Sequence, residues 1–379
     1  MKKVVLIPDS FKGTMSSSEI CGIMESVIRR FYPRIEIIKI PVADGGEGSV
    51  DCFLEALGGR RIEATVKGPF FEETESFYGI LPDGSAVVEM AAAAGLSMVG
   101  STPDPEKTTS FGVGQLIAEA IGSGCRNIIL GLGGSATNDG GCGMAAALGV
   151  DFINYEGVSF IPTGGSLKDI ARIDMSGLLP ALKDTGLRVM CDIDNPFHGP
   201  SGAAYVFAPQ KGADTGAVAR LDLGLKHLSR VIKECLGVDV NSIFGAGAAG
   251  GMGGGAHAFL GAEPVMGIQL VLDAIRFDAL AADADFVISG EGRIDEQSLM
   301  GKVVIGVAEH TKALGVPLIA IVGDIGDDIS SVYDRGVTAI FSINNAAIPY
   351  SRAKLRSRSD LRATTENVIR FACIFDNPE

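Results

Sequence analysis

Residues 131–141 read Gly-Leu-Gly-Gly-Ser-Ala-Thr-Asn-Asp-Gly-Gly and directly follow the apolar run 127–130. Five glycines, two hydroxyls, an amide and a carboxylate stand together, with no bulky side chain after Leu132. Main chain stripped of side chains can approach a ligand closely, and successive N–H groups can cradle an anion. Phosphate fits this pattern. The backbone of Gly133, Gly134, Ala136, Asn138 and Gly140 would face it, and the Ser135 and Thr137 hydroxyls would donate to it. Asp139 would hold a divalent cation. The competing reading is a strand-to-helix turn capped by Asn138 or Asp139. A turn explains one or two glycines rather than five, so phosphate is favoured. The P-loop pattern is absent. Two loose dinucleotide fingerprints, Gly131-x-Gly133-x-x-Ala136 and Gly245-x-Gly247-x-x-Gly250, lack a clean strand–helix unit with an acidic ribose partner.

Four other stretches concentrate chemistry. Residues 289–302 place Glu291 and Asp295 with Arg293 and Lys302 within fourteen positions. The acids suit a metal, and the cations suit phosphate or carboxylate. Residues 42–48 offer Asp44 and Glu47 beside Gly45 and Gly46, with Asp44 equally suited to capping the next helix. Residues 191–213 carry Asp192, Asp194, Asn195, His198 and Lys211. His198 is a candidate base and Lys211 a candidate cation, although a surface lysine is the default. Residues 8–13 put Asp9, Ser10 and Lys12 at the end of the first apolar run. The stretch 245–255 is almost free of side chains, which serves close backbone approach or a hinge equally.

These residues need elements to position them. Short β-branched runs at 4–7, 35–40, 127–132, 187–190, 286–288, 318–322 and 337–341 predict strands, most followed by polar glycine-rich loops. Helical spacing follows at 20–31, where Ser16 to Glu19 has capping-box spacing, and at 50–57, 303–314 and 364–375. A short helix is expected through 148. Strand–helix alternation implies an α/β protein with a mostly parallel sheet, whose ligands bind beyond the carboxyl ends of the strands. Residues 61–100 instead read as antiparallel strands. The expected plan is a Rossmann-like parallel-sheet domain from both chain ends, 1–65 and 275–379. A mixed α/β domain, 66–274, is inserted, and 106–148 suits either.

The chain has 379 residues, a net charge of −14 and 51 glycines, about twice the usual share. Such a charge disfavours nucleic acid and anionic membrane surfaces as partners. It also means that an anionic substrate needs local cations. Seven scattered cysteines without CxxC spacing suit reduced thiols in a cytoplasmic protein. No run approaches a membrane span, and 4–8 is too short for a signal-peptide core.

Together, residues 8–13, 42–49, 131–143, 191–213, 245–255 and 289–302 resemble the signature blocks of the bacterial glycerate kinase family, in family order. Cys142, Met300 and His257 depart from the usual pattern. The resemblance implies a kinase that phosphorylates D-glycerate with ATP and Mg²⁺, carbon 2 being favoured, and feeds organic-acid carbon into glycolysis. It also implies a flavodoxin-like domain. On that basis Asp192 and Glu291 would bind metal or accept the substrate's hydroxyl proton. Arg293, Lys302 and Lys12 would offset anionic charge. Asp9, Ser10, Asp44, Gly45, Gly46 and Asn195 would contact substrate. ATP and glycerate are the expected partners, a homodimer is kept open, and a nicotinamide-dependent dehydrogenase of a small hydroxy acid, or a kinase of another hydroxy acid, is the alternative.

Overall fold

The structure is a computed structural model that describes residues 1–374 apart from Lys12, Ala43, Asp44, Glu296, Gln297, Met300 and Gly301. The candidate ligands Lys12 and Asp44, and the Met300 departure, therefore lie outside the described residues. The chain divides into two compact units. One comprises Met1–Asp44, Glu55–Leu57 and Met266–Glu379; the other comprises Gly45–Leu54 and Gly58–Val265.

Strands β1 (Lys3–Pro8) and β2 (Glu36–Lys39) open the first unit. The second unit contains β3 (Arg60–Lys67), β4 (Glu73–Ile80), β5 (Ala86–Glu89) and β6 (Asn127–Gly131). It continues with β7 (Asp151–Asn154), β8 (Ser159–Phe160), β9 (Ile170–Asp174), β10 (Gly186–Met190) and β11 (Glu263–Val265). The chain then returns to the first unit with β12 (Phe286–Gly290), β13 (Arg293–Ile294), β14 (Leu318–Val322), β15 (Asp324–Ile325) and β16 (Val337–Ser342).

The first unit is built on a parallel sheet in the order β16-β14-β12-β1-β2. Counted within the unit this is the flavodoxin order, which reverses between β1 and β12. Every residue of β1 and β12 is buried, as continuous apolar strands covered on both faces must be. The helix Ser17–Phe31 starts where its spacing predicts, with the Ser16 hydroxyl accepting from the Glu19 N–H at 3.2 Å. The last helix spans Tyr350–Ala372 rather than starting near 364. Ahead of Leu361 its buried face carries Ala353, Ser357 and Asp360, small or polar residues that a hydrophobic pattern does not reveal. Arg358 on this helix pairs with Glu19.

The second unit's main sheet runs β11-β10-β6-β5-β4-β3. β3, β4 and β5 are antiparallel, as their turn-punctuated sequence predicts, and from β5 through β11 the pairing is parallel. β3 pairs along its whole length with β4. It therefore belongs to this sheet, although the sequence reading assigns residues through 65 to the first domain. Two apolar cores serve this unit: one around Val88, Leu116 and Leu130, the other around Phe152, Leu225 and Phe197. Among the described residues no helix is long and apolar enough to cross a membrane.

Candidate active site

In the first unit the carboxyl ends of β1 and β12 lie side by side, because Pro8 pairs with Gly290. The loops that follow them are locked together. The Asp9 N–H donates to the Gly290 carbonyl at 2.8 Å, and the Ser289 hydroxyl to the Ile7 carbonyl at 2.8 Å. Gly290 is required by crowding, since a Cβ there would lie 2.2 Å from the Ile321 carbonyl oxygen. This is the switch point of the sheet, where such folds bind ligands. Asp9, Ser10 and Glu291 lie in these loops, Arg293 opens β13, and Lys302 directly precedes the helix Val303–Leu314. Asp9 turns back on its own loop and accepts from the Ser10 N–H at 2.6 Å.

Glu291 is buried, and its Oε1 has no hydrogen-bond partner among the described residues. Burial pushes its pKa up to about 7, against the opposing pull of the Ser298 hydroxyl and the Lys302 ammonium. Ser298 is held in place by donating its N–H to the Asp295 carbonyl at 3.0 Å. Arg293 points outward, with its side chain 59% exposed and Asp295 3.5 Å away. Lys302 stands at the N-terminus of the helix Val303–Leu314. The edge thus combines a carboxyl poised between its two protonation states with cations suited to an anionic ligand.

In the second unit, Glu89, Gly131, Met190 and Val265 mark one level at the carboxyl ends of β5, β6, β10 and β11. The loop 131–141 leaves this level, but it is not an open cradle. The Gly133 N–H donates to the Gly45 carbonyl at 2.8 Å. A Cβ on Gly131 would lie 2.6 Å from that same oxygen, and one on Gly133 would lie 2.5 Å from the Gly46 Cα. Farther along, the Gly140 N–H donates to the Gly250 carbonyl at 3.0 Å, and a Cβ on Gly250 would lie 2.1 Å from the Thr137 carbonyl oxygen. The glycines exist to bring three stretches of main chain into contact. Ala136, Thr137, Asn138, Asp139 and Gly140 are buried, Gly133 is half-buried, and only Gly134 is exposed. Along the loop expected to cradle phosphate, 133–140, other backbone meets Gly131, Gly133, Gly140 and Gly250, and Gly134 faces solvent. Gly45 and Gly46 are also buried here, against Gly131 and Gly133.

Asp139, expected as a metal ligand, is held by backbone and hydroxyl donors. Its Oδ2 accepts from the Ser110 N–H and hydroxyl, both at 2.8 Å, and from the Gly143 N–H at 3.2 Å. Its Oδ1 accepts from the Gly141 N–H at 3.1 Å. With four donors on a fully buried carboxylate, the group organises the start of the helix Cys142–Ala147. Both dinucleotide fingerprints also fall away. Residues 131–136 enter no helix, and 249–251 form a left-handed kink, with φ of 53°, 70° and 90°.

The loop after β10 carries Asp192, half-buried, and Asn195, whose Nδ2 donates to the Ser201 carbonyl at 2.8 Å. His198 is half-buried and burial lowers its pKa. Cys142 is buried, and His257 donates its Nδ1 hydrogen to the Ala262 carbonyl at 2.9 Å.

Two residues carry more than their sequence context suggests. Lys211 is buried instead of lying on the surface. Its Nζ donates to the Ser135 hydroxyl and the Thr137 carbonyl, both at 2.7 Å, and burial pushes its pKa down to about 7. The apolar neighbours Phe207, Ala208, Pro209 and Ala213 are the signal for burial that the sequence offers. Glu89 is the only charged residue in the apolar run 86–95. It accepts from the Gly48 and Val50 N–H groups and so caps the helix Ser49–Leu57, which has no side-chain cap of its own. Burial raises its pKa to about 7 from 4.5, so ionising it costs stability as pH climbs through that interval. Glu89→Ala is expected to lower unfolding free energy by about 1–2 kcal/mol. The loss should be largest at low pH and shrink toward pH 8, as read by urea unfolding across pH; a pH-independent loss contradicts the titration.

Two α/β units with polar, glycine-rich loops at the carboxyl ends of parallel strands define an α/β enzyme. The model of the Glycerate kinase family matches residues 4–373, and the chain belongs to this family. It is 45% identical to the glycerate kinase of Halalkalibacterium halodurans over 370 residues, 97% of each chain. It is 47% identical to the glycerate 2-kinase of Escherichia coli over 343 residues, 90% of each. A crystal structure from Salmonella typhimurium, named for glycerate kinase 2, superposes with a TM-score of 0.85 at 41% identity, covering 99% of each chain.

Proposed function

We propose that the chain transfers the terminal phosphoryl group of ATP to the 2-hydroxyl of D-glycerate. The observation that carries this reading is Glu291, a buried carboxyl at the β1/β12 switch point with one oxygen unpartnered among the described residues, in a chain matched to the family over nearly its whole length. Phosphoryl transfer needs an acceptor for the hydroxyl proton and cations for the phosphate oxygens, with little covalent chemistry from the protein. Glu291, poised near neutral pH, takes the proton. Lys302 and Arg293 offset phosphate charge, and Asp9 and Ser10 orient the ligand at the same edge.

Among the described residues no group of three His, Cys, Asp or Glu side chains is placed to hold a metal. Magnesium fits nonetheless, because it commonly takes one or two carboxylates and fills its remaining positions with water and phosphate oxygens. Asp192 is a carboxylate suited to it, whereas Glu291, in the other unit, is kept for the proton and Asp139 is held by four donors. Bound there, the ion would supply further charge neutralisation for the phosphates.

The test is ADP release from ATP and Mg²⁺ with D-glycerate, followed by proton-coupled phosphorus NMR of the product. A phosphate on carbon 2 neighbours one proton and gives a doublet, whereas on carbon 3 it neighbours two and gives a triplet. A triplet overturns the regiochemistry, and absence of glycerate-dependent ADP overturns the reading.

A further inference from the structure

In the first unit the helices Ser17–Phe31 and Tyr350–Ala372 lie side by side and run in the same direction, tied by a ladder of polar contacts. Arg358 donates from Nε and Nη2 to the two carboxylate oxygens of Glu19. Arg362 donates from Nη1 to the Ser26 hydroxyl at 3.1 Å, and Arg30 from Nη1 to Glu366 at 3.3 Å. Residues 358, 362 and 366 are four apart and share one face of the last helix. Lys354 is the next member of that series toward the helix start. Of the four, it is the one whose side chain has no hydrogen bond or ion pair among the described residues.

Position explains the difference. One turn before Arg358 the opposite helix has not begun, and the loop that follows β1 stands in its place. A Cβ on Gly13, in that loop, would lie 3.8 Å from the Lys354 Nζ. The same loop is fastened to the strand end that leads into Glu291. The Asp9 N–H is bonded to the Gly290 carbonyl, and a Cβ on Gly290 would lie 3.6 Å from the Phe11 ring. The last helix starts from this edge because β16, which precedes it, runs parallel to β14 and ends beside it, with the Ile343 N–H donating to the Val322 carbonyl at 2.9 Å. All of these residues belong to one unit.

Charge gives the position its meaning. Glycerate brings a carboxylate toward Glu291, which is itself ionised when it acts as a base, and the two repel. The chain's net charge of −14 adds to the repulsion. Arg293 and Lys302, which follow β12, are assigned to phosphate above, so the substrate's own carboxylate calls for a further cation at this edge. Lys354 is exposed and uncommitted beside the loop after β1. Its ammonium is a compact charge on a long flexible stem, suited to meeting a carboxylate that arrives from solvent. We propose that Lys354 binds the carboxylate of the hydroxy-acid substrate. The assignment rests on the glycerate reading above and adds the residue that recognises the acid end.

The test is steady-state kinetics of Lys354→Met, Lys354→Glu and Lys354→Arg on the full chain, with KM measured separately for D-glycerate and for ATP with Mg²⁺. Thermal unfolding controls for folding. Lys354→Met is expected to raise KM for D-glycerate about 10-fold, the lower end for a charge-assisted contact because the ammonium is exposed. The rate constant kcat and the KM for ATP should stay within about twofold, since the contact is the same in ground and transition states. Lys354→Glu should raise KM for D-glycerate further, and Lys354→Arg should return it to within about threefold of wild type. If KM for D-glycerate in the Met and Glu variants stays within about twofold of wild type, the proposal is overturned and Lys354 is a solvated surface residue. A raised KM for ATP without a raised KM for D-glycerate also overturns it, because the anion met there is then a nucleotide phosphate. Wild type that makes no ADP with D-glycerate defeats the functional reading itself. Wild type that turns over, with variants that match it, defeats only this assignment.

Discussion

Glu291→Gln is expected to lower kcat for glycerate-dependent ADP release by about 10²- to 10⁴-fold, the usual contribution of a positioned base. The amide keeps the shape and burial of the side chain but cannot accept a proton. The wild-type carboxyl titrates near pH 7, raised from 4.5 by burial. Only its ionised form is a base, so wild-type activity should rise with pH through about 7, and the variant's residual rate should lack that limb. Stability should move the other way. A carboxyl whose folded pKa is raised favours the folded state while protonated, and that advantage fades as pH rises from 4.5 toward 7. Glutamine carries no ionisation cost, so at pH 8 the variant should be at least as stable as wild type. Rates from pH 5.5 to 9, with thermal unfolding in the same buffers, separate the two effects. A variant within threefold of the wild-type rate removes Glu291 from the chemistry.

Asp139→Ala should produce the opposite pattern: a large stability loss as the primary defect. Removing the carboxylate leaves the buried N–H groups of Ser110, Gly141 and Gly143, and the Ser110 hydroxyl, without their acceptor. Each stranded buried donor costs roughly 1–3 kcal/mol, with partial relaxation reducing the sum. A loss of about 3–5 kcal/mol in unfolding free energy is expected. Urea unfolding with and without Mg²⁺ checks it. If Asp139 were instead a metal ligand, the variant would keep its stability without metal and lose only metal-dependent activity. That outcome would make Asp139 a metal ligand.

Much of the fold was legible because it rests on local signals. The strands at 318–322 and 127–131 are β-branched runs bounded by glycine and polar loops, and the helix 303–314 follows its apolar spacing. The strand ends were legible as the place for chemistry, since Asp, Glu, Ser and Asn gather there. The early part of the helix Tyr350–Ala372 was not, because its buried face uses Ala, Ser and Asp in place of large apolar residues. Glu89 was missed for a similar reason: its partners, the N–H groups of Gly48 and Val50, lie about forty residues away.

By itself the amino-acid order determined the alternation of strands and helices, the flavodoxin-like plan and the family, all of which depend on near neighbours or on long ordered blocks. It also determined that 131–141 must present bare backbone. What presses against that backbone was decided only by the tertiary structure. A missing side chain records that something comes close, without recording whether it is a phosphate or a distant piece of chain. Here Gly45, Gly46 and Gly250 fill the space. The same folding buries Lys211 and Asp139, because burial depends on which segments pack together, and residue type alone does not carry that information.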